Sequence, residues 1–464
     1  MSTDLNNSTL IREYTEALTG QEVAKAVTSA SLRNVLQREV RQLAGSDFVR
    51  KVAETYATQV VVIGLGLITS ITVARTLGPQ GRGLYAVAMA MGVSGVQLGN
   101  LGLHASNTYY LAQKRSLLPT LVGNSLAVSC GLGGLIAAIS WLVFQTAPRL
   151  APVPAPLLGL GLAWIPVGLA FLLMENLLIG LQEVRSFNKV ELLNRVLSLS
   201  LIGVVILSGR TTPDLVFAAA LLSVSLSLGW TYSLLKRFAR FRPQLSFSLL
   251  GAHVRLGIKA YFICLFGFLL FRIDLLMVKY FLGAEQAGYY SIASTMADYI
   301  LMLPGVIGLI LFPRLSAVAD RGEKLRRAKK VALGTALALI PILSLAAITA
   351  RPIVWILFGK AFLPAVSPFL WLIPGIFTMG MEIALVQFLN SVGYPPVVVW
   401  VWFCSTSLNI GLNLWAIPRF GISGASVVSS ISYSLVLFAV VFIIYTGNYV
   451  EPSRHQFPDQ QHGS

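Results

Sequence analysis

The chain has 464 residues, 55% of them hydrophobic and only 12% charged, with a formal net charge of +16 and a mean hydropathy of +0.74. A water-soluble domain carries about 25% charged residues, so this composition excludes an ordinary soluble enzyme and implies a chain built for lipid. The positive charge invites a nucleic-acid reading, but no polar stretch is long enough to fold a reading domain.

In chain order, residues 1–50 come first and differ from the rest. Glu13, Glu16, Glu22, Glu39, Arg33, Arg38 and Arg41 are mixed with Leu, Val and Ala at loosely helical spacing. That pattern predicts a cytoplasmic, partly helical extension at the membrane surface or in solvent. Apolar stretches of about 20 residues, enough to cross the hydrocarbon layer, then recur at 56–77, 84–111, 118–145, 157–182, 189–208 and 214–235. They resume at 259–281, 286–312, 330–350, 364–390, 396–417 and 422–446. The expected fold is an all-α membrane protein with twelve transmembrane spans in two six-helix bundles, 51–236 and 259–446. A basic linker, 237–258, joins them, and 447–464 is a polar tail. Its cations predict that the linker lies on anionic headgroups. The first span starts some fifty residues in and is too long for the apolar region of a signal peptide, so it should act as a signal anchor.

The halves repeat each other. Leu77-Gly78-Pro79-Gln80-Gly81-Arg82-Gly83-Leu84-Tyr85-Ala86-Val87-Ala88 and Leu282-Gly283-Ala284-Glu285-Gln286-Ala287-Gly288-Tyr289-Tyr290-Ser291-Ile292-Ala293 share the pattern L-G-x4-G-x-Y-x2-A, 205 positions apart without a gap. Solenoid repeats run to roughly 20–50 residues. A period this long is instead half of a duplicated bundle, the usual construction of secondary transporters.

The basic residues set an expected orientation. With the N-terminus in the cytoplasm, 26 of the 35 Lys and Arg fall on the inner side and 8 on the outer side, with Arg272 left in the membrane. That is the positive-inside bias, and it puts both termini and the Arg321–Lys330 cluster in the cytoplasm. In this sorting Arg75 and Arg82 belong to an external loop. No loop on the outer side can house a catalytic domain, and no P-loop is present. Cys130, Cys264 and Cys404 lie in apolar spans and read as small core residues. The four histidines, His104, His253, His455 and His462, form no metal-ligand pattern, so neither metal nor cofactor is expected.

The end of the chain is more specific. Leu408-Asn409-Ile410-Gly411-Leu412-Asn413 followed by Ile417-Pro418-Arg419-Phe420-Gly421-Ile422-Ser423-Gly424-Ala425 resembles the L-N-x3-N…I-P-x-[YF]-G-x-x-G-A signature of bacterial polysaccharide flippases. Arg272-Ile273-Asp274 with the following Leu282-Gly283 and Gly288-Tyr289-Tyr290 resembles their seventh helix and its exit. Leu311-Phe312-Pro313-Arg314-Leu315-Ser316 resembles the close of their eighth. These flippases belong to the multidrug/oligosaccharidyl-lipid/polysaccharide exporter superfamily, and the resemblance covers roughly 51–446. It implies pseudo-twofold bundles around a central cavity that opens alternately to each side. The implied substrate is an undecaprenyl-diphosphate-linked oligosaccharide, moved to the periplasmic leaflet of the inner membrane. Polysaccharide polymerase or chain-length machinery would be partners, together with membrane lipids. Two relatives in the superfamily compete: a multidrug extruder, which would want an acidic, aromatic cavity, and a peptidoglycan-precursor flippase, whose members usually have fourteen helices. From outside it, a membrane glycan polymerase or ligase would need a long external loop.

Candidate residues follow from charge in hydrocarbon, where Arg or Asp costs about 2.5–3.5 kcal/mol even on the insertion scale. Arg272 and Lys279 share a face of the seventh span with Leu276 and predict a cationic stripe for a diphosphate or acidic sugar. An ion pair between Arg272 and Asp298 is the competing structural reading. Asp274 sits about 200° round the helix from Arg272 and must face elsewhere. Arg272, Asp274 and Asp298 map through the repeat onto Leu67, Thr69 and Val93, so the first half lacks all three charges. Glu175 and Glu382 occupy matching depths in the fourth and tenth spans and are the candidates for proton coupling. Carboxylates withdrawn from water can exchange protons in the neutral range, but contact with the cytoplasmic headgroup zone is the simpler reading of the pair. Asn100, Asn107, Asn409 and Asn413 either line a cavity or tie helices by amide hydrogen bonds. Asn100, Asn409 and Asn413 are carried as substrate contacts beside Arg272 and Lys279, with Asp274 and Asp298 in the charge network. His104 reads as a core histidine, and Glu191–Arg195 as a structural i, i+4 pair.

Reporter fusions after Arg149, Arg210 and Arg351 should be active outside the membrane. A fusion at Lys324 should be active inside, and external activity there would overturn the orientation.

Overall fold

The computed structural model describes residues 47–238, 242–393 and 395–447. Expectations for 1–46, for Arg240 and for the tail beyond 447 lie outside the described residues. Contacts divide the chain into Met1–Val61 and Val62–Ser464. The described part of the first unit is helical from Asp47.

Among the described residues, ten helices are long and apolar enough to cross a membrane. Two of them are double. Asp47–Asn100 is broken at Gly78 and Pro396–Thr446 at Gly421, where the backbone leaves helical geometry. The described residues thus contain the twelve expected spans. In the second half, Val366–Ser391 is the hub and packs on Ala284–Ser316, Arg321–Phe358 and Pro396–Thr446. In the first half, Ala155–Gly180 packs on Pro213–Phe238, Val184–Leu207 and Leu103–Gln113.

The repeat is visible as one backbone event performed twice. Gly78 has φ 65° and ψ −178°, and Gly283 has φ 90° and ψ 178°. This region is essentially closed to residues with a Cβ, so the chain reverses on one glycine with no loop. Pro79 can follow at once, because the first helical turn needs no N–H. The two turns then meet. A Cβ on Gly83 would overlap the Ala284 carbonyl oxygen, and one on Gly288 would overlap the Pro79 carbonyl oxygen. Gly83 and Gly288 are repeat mates, as are Pro79 and Ala284, so the seam is a pseudo-twofold contact of backbone on backbone. A continuous apolar cluster lies around it, with Val73, Ala74 and Tyr85 from the first bundle and Leu275, Tyr290 and Phe362 from the second. Arg75 Nε donates to the Leu357 carbonyl at 2.8 Å across the same end, and its Nη2 donates to the Ile356 carbonyl.

Three departures from the expected spans have local causes. The second span is interrupted by Leu101 (φ 49°) and Gly102 (φ 76°). The helix that resumes at Leu103 is capped from Asn100, whose Oδ1 accepts from the His104 N–H at 3.3 Å. The third span carries a π-turn at Ser129–Gly133. The second part of the linker is helical and continuous with the seventh span. Phe247–Leu282 is one continuous helix, started by Ser246, whose side chain accepts from the Leu249 N–H at 3.3 Å. Its first turns pack the partly buried Leu249, Leu250 and Val254 against the first bundle and leave Arg255 exposed. Asn124 fixes the approach by exchanging two 3.0 Å hydrogen bonds with the backbone of Ser246. Gly257 and Gly102 then touch so closely that a Cβ on Gly102 would lie 2.6 Å from the Gly257 oxygen.

His253 is sealed in this junction, its ring stacked on Tyr110 at 4.2 Å and 5°. Burial pushes its imidazole from 6.5 down to about 4. The neutral form is favoured in the folded state, so the contribution to stability is complete above pH 6.5 and is lost as pH falls toward 4. The melting temperature of the purified protein should drop over that window, and His253→Phe, which keeps the stacking, should flatten the drop. An unchanged slope in the variant would contradict the assignment.

Candidate functional site: a cavity with a buried arginine

A cavity of about 520 Å³ opens within the first bundle, lined from the first, second, fourth, fifth and sixth spans. Its polar wall consists of Thr69, Ser70, Arg82, Gln97, Glu175, Asn194, Arg195, Ser198 and Ser223, with Tyr85 and Trp164 among its apolar residues. The volume falls within the roughly 300–1,000 Å³ range of ligand sites.

Arg82 is the residue the sequence reading misplaced. It is 7% exposed, not in an external loop. The Gly78 turn starts the second span at Pro79 rather than at 84, so Arg82 enters the protein within its first turn. Its partners are all hydroxyls. Nη2 donates to Ser70 Oγ at 3.2 Å and to Thr295 Oγ1 at 3.5 Å, and Nε donates to Ser291 Oγ at 3.3 Å. The guanidinium also lies 5.9 Å from the Tyr85 ring centroid. Among the described residues no carboxylate reaches ion-pair distance of it. The repeat held a signal: Arg82 maps onto Ala287, an asymmetry of the same kind as that of Arg272.

Arg195 and Glu175 lie within electrostatic reach of each other, with Glu191 also acting on Glu175. Arg195 therefore faces the cavity, beyond any helix-local pairing. Asn194 Oδ1 accepts from Ser223 at 3.3 Å and Ser227 at 3.5 Å, which fixes that wall.

The other expected site residues lie in the second bundle or in helix junctions. Arg272 Nη2 and Asp298 Oδ2 pair at 2.7 Å, with side chains 34% and 38% exposed. This pair does not line the cavity. Tyr299, next to Asp298, lies within electrostatic reach of Arg82, Arg195 and Asp298 and packs toward Gly66 in the cavity wall. Lys279 is half-buried one helix turn before the Gly283 reversal. Asp274 faces other partners than Arg272. It accepts from Tyr290 Oη, from Ser429 Oγ at 3.0 Å and from the Leu275 N–H at 2.7 Å, tying three spans together. Glu382 is 1% exposed, and its Oε1 has no hydrogen-bond partner among the described residues.

The asparagines sit in hydrogen bonds between or along helices and outside the cavity lining. Asn107 donates to Ser125 at 3.0 Å, Asn409 to Ser432 at 3.2 Å and Asn413 to Asn409 at 3.0 Å. Asn100 is the helix cap already described and lies 2.7 Å from His104 Nδ1. Among the described residues no three His, Cys, Asp or Glu converge as a metal site.

This geometry is a polar, net-cationic chamber inside a helical membrane protein. A profile of the family described as "Polysaccharide biosynthesis protein" matches residues 72–367. The chain belongs to that family. Its long apolar helices are those of a multi-pass membrane protein. The lipopolysaccharide biosynthesis protein WzxC of Escherichia coli K12 is 25% identical over 278 residues, 58% of this chain and 54% of that protein. An uncharacterized membrane protein, MJ1068 of Methanocaldococcus jannaschii, is 26% identical over 176 residues, 37% of this chain and 35% of that protein. The chain thus spans between a third and about half of the length of these curated relatives. Its fold is that of the lipid II flippase MurJ in an inward closed conformation, with TM-score 0.71, 13% identity and coverage of 85% of this chain and 87% of that one. An inward-facing multidrug resistance transporter of the MATE family gives TM-score 0.65 at 16% identity, covering 82% and 92%.

The Arg272–Asp298 pair has a direct test in this family member. Removing one partner of a buried pair costs about 3–5 kcal/mol because the other charge is stranded, and a half-buried pair should fall below that. Arg272→Ala should therefore lower the melting temperature more than Arg272→Ala/Asp298→Ala does. A double variant no more stable than the single would show that Asp298 does not depend on Arg272.

Proposed function

We propose that the protein flips an undecaprenyl-diphosphate-linked oligosaccharide from the cytoplasmic to the periplasmic leaflet of the inner membrane by alternating access. The observation that carries this reading is the buried, carboxylate-free Arg82 in the wall of a polar cavity, with Arg195 beside it. A diphosphate–sugar head cannot cross hydrocarbon unaided. It needs a cavity whose charge opposes its own, while the polyprenyl tail stays in the bilayer. Two arginines against the single Glu175 give that sign, whereas an extruder of organic cations needs the reverse. With both termini in the cytoplasm, the Gly83–Gly288 seam is the outer gate and is shut in this structure. Arg272 and Lys279 serve as a second cationic station on the way out. Glu175 in the cavity and Glu382 in the second bundle are the proposed proton carriers, with Asp274 and Asp298 in the charge network. A polymerase or chain-length complex outside would consume the product.

The test is flipping of a fluorescent undecaprenyl-diphosphate oligosaccharide in vesicles, read by quenching of the outer leaflet. Hydrogen bonds to charged groups contribute about 1.5–3 kcal/mol, so Arg195→Ala or Arg272→Ala should slow flipping roughly ten- to hundredfold. Arg272→Lys should recover part of the loss, since it keeps the charge but not the planar fork. Wild-type rates in both alanine variants would refute the cationic path, and robust uptake of organic cations would favour the extruder.

Coupling is tested in the same vesicles. Glu175→Gln or Glu382→Gln should remove the response to an imposed pH gradient while substrate still binds. If both variants respond as the wild type does, neither glutamate is the coupling site.

A further inference from the structure

Arg82 belongs to two structures at once. It lines the cavity, and it reaches across the seam to Ser291 and Thr295 of the second bundle. It is also the residue immediately before Gly83, whose backbone touches Ala284. On the other side, Ser291 stands one helix turn beyond Gly288 and donates to its carbonyl at 2.8 Å. The guanidinium therefore ends on the same helix turn that packs against Pro79.

The bonds across the seam are weak ones. They go to neutral hydroxyls at 3.3 and 3.5 Å, near the outer limit for a hydrogen bond. A phosphate offers the same guanidinium shorter, charge-assisted, bidentate bonds. An anion in the cavity would compete for the N–H groups that hold Ser291 and Thr295, and it would win. What then remains across the seam is glycine against carbonyl oxygen, the apolar cluster around it and the Arg75 hydrogen bonds, with no polar side chain from the cavity.

We propose that Arg82 is the anion-sensing latch of this transporter: a phosphate group in the cavity takes the guanidinium from Ser291 and Thr295 and so releases the Gly83–Gly288 seam. Occupancy by a charged head, rather than occupancy alone, then opens the gate. The inference rests on the flippase reading for the identity of the anion, a lipid diphosphate, but its logic concerns phosphate of either lipid or soluble origin.

The experiment uses full-length protein in lipid nanodiscs with Cys130, Cys264 and Cys404 replaced by serine. Spin labels are placed at Gln80 and Glu285, which are exposed repeat mates on either side of the seam, and the distance between them is measured. Binding of each lipid is measured on the same samples by native mass spectrometry. Undecaprenyl diphosphate should lengthen the distance, and undecaprenol, which has the tail without the charge, should not. Arg82→Gln should bind the lipid more weakly and show no lengthening at saturating lipid. Ser291→Ala/Thr295→Val should show the longer distance with no lipid present, which keeps the test decisive even if Arg82→Gln fails to fold. Inorganic pyrophosphate, run in parallel, separates a soluble anion from a lipid-borne one, and movement by either through Arg82 supports the latch. Movement that persists in Arg82→Gln, or a seam that stays shut in the Ser291/Thr295 variant, overturns it. Binding of undecaprenyl diphosphate without movement overturns the latch and leaves the flippase reading intact. No binding at all removes both.

Discussion

A guanidinium held inside a helical membrane bundle by hydroxyls alone is the constraint on which this structure turns. Taking an ion out of water costs several kcal/mol even after relaxation, and Arg272 meets that cost with a carboxylate, Asp298. Arg82 has no such partner among the described residues. A packing role does not account for it, because a neutral side chain of the same length would fill the space without the penalty. On the proposed reading the cavity beside it gives the charge a use, because an anionic head would supply the missing counter-charge.

The symmetric and asymmetric parts of the molecule divide the work. The backbone is symmetric: Gly78 and Gly283 make the same turn, and Pro79, Gly83, Ala284 and Gly288 make one reciprocal contact. Such a contact holds two bundles in register backbone to backbone, within an apolar cluster shared by both. The charges are asymmetric. Arg82 faces Ala287 in the repeat, and Arg272 and Asp298 face Leu67 and Val93. The frame was duplicated and each half then equipped differently, the first with the polar chamber and the second with the Arg272–Asp298 pair and the Asp274 network.

Much of this was legible in the sequence. The twelve spans follow from apolar length, and the duplicated frame from the 205-residue repeat. The Arg272–Asp298 contact was one of two readings of a charge in hydrocarbon. Arg82 was not found, because a charge next to Gly78-Pro79 looks like a loop residue until the turn is known to consume a single glycine. The asparagines left two readings open because an amide serves a cavity and a helix contact equally well. The docking of 247–258 was hidden by its charges: Arg255 stays outside while Leu249, Leu250 and Val254 supply the packed, partly buried face.

The central claim is that the diphosphate of a lipid-linked sugar sits on Arg82 in the first-bundle cavity. A structure of the full-length protein determined with undecaprenyl diphosphate bound tests it most directly. The account predicts phosphate density within hydrogen-bond distance of the Arg82 guanidinium, with Ser291 and Thr295 no longer bonded to it. Phosphate density elsewhere, with the Arg82–Ser291 bond intact, would contradict it.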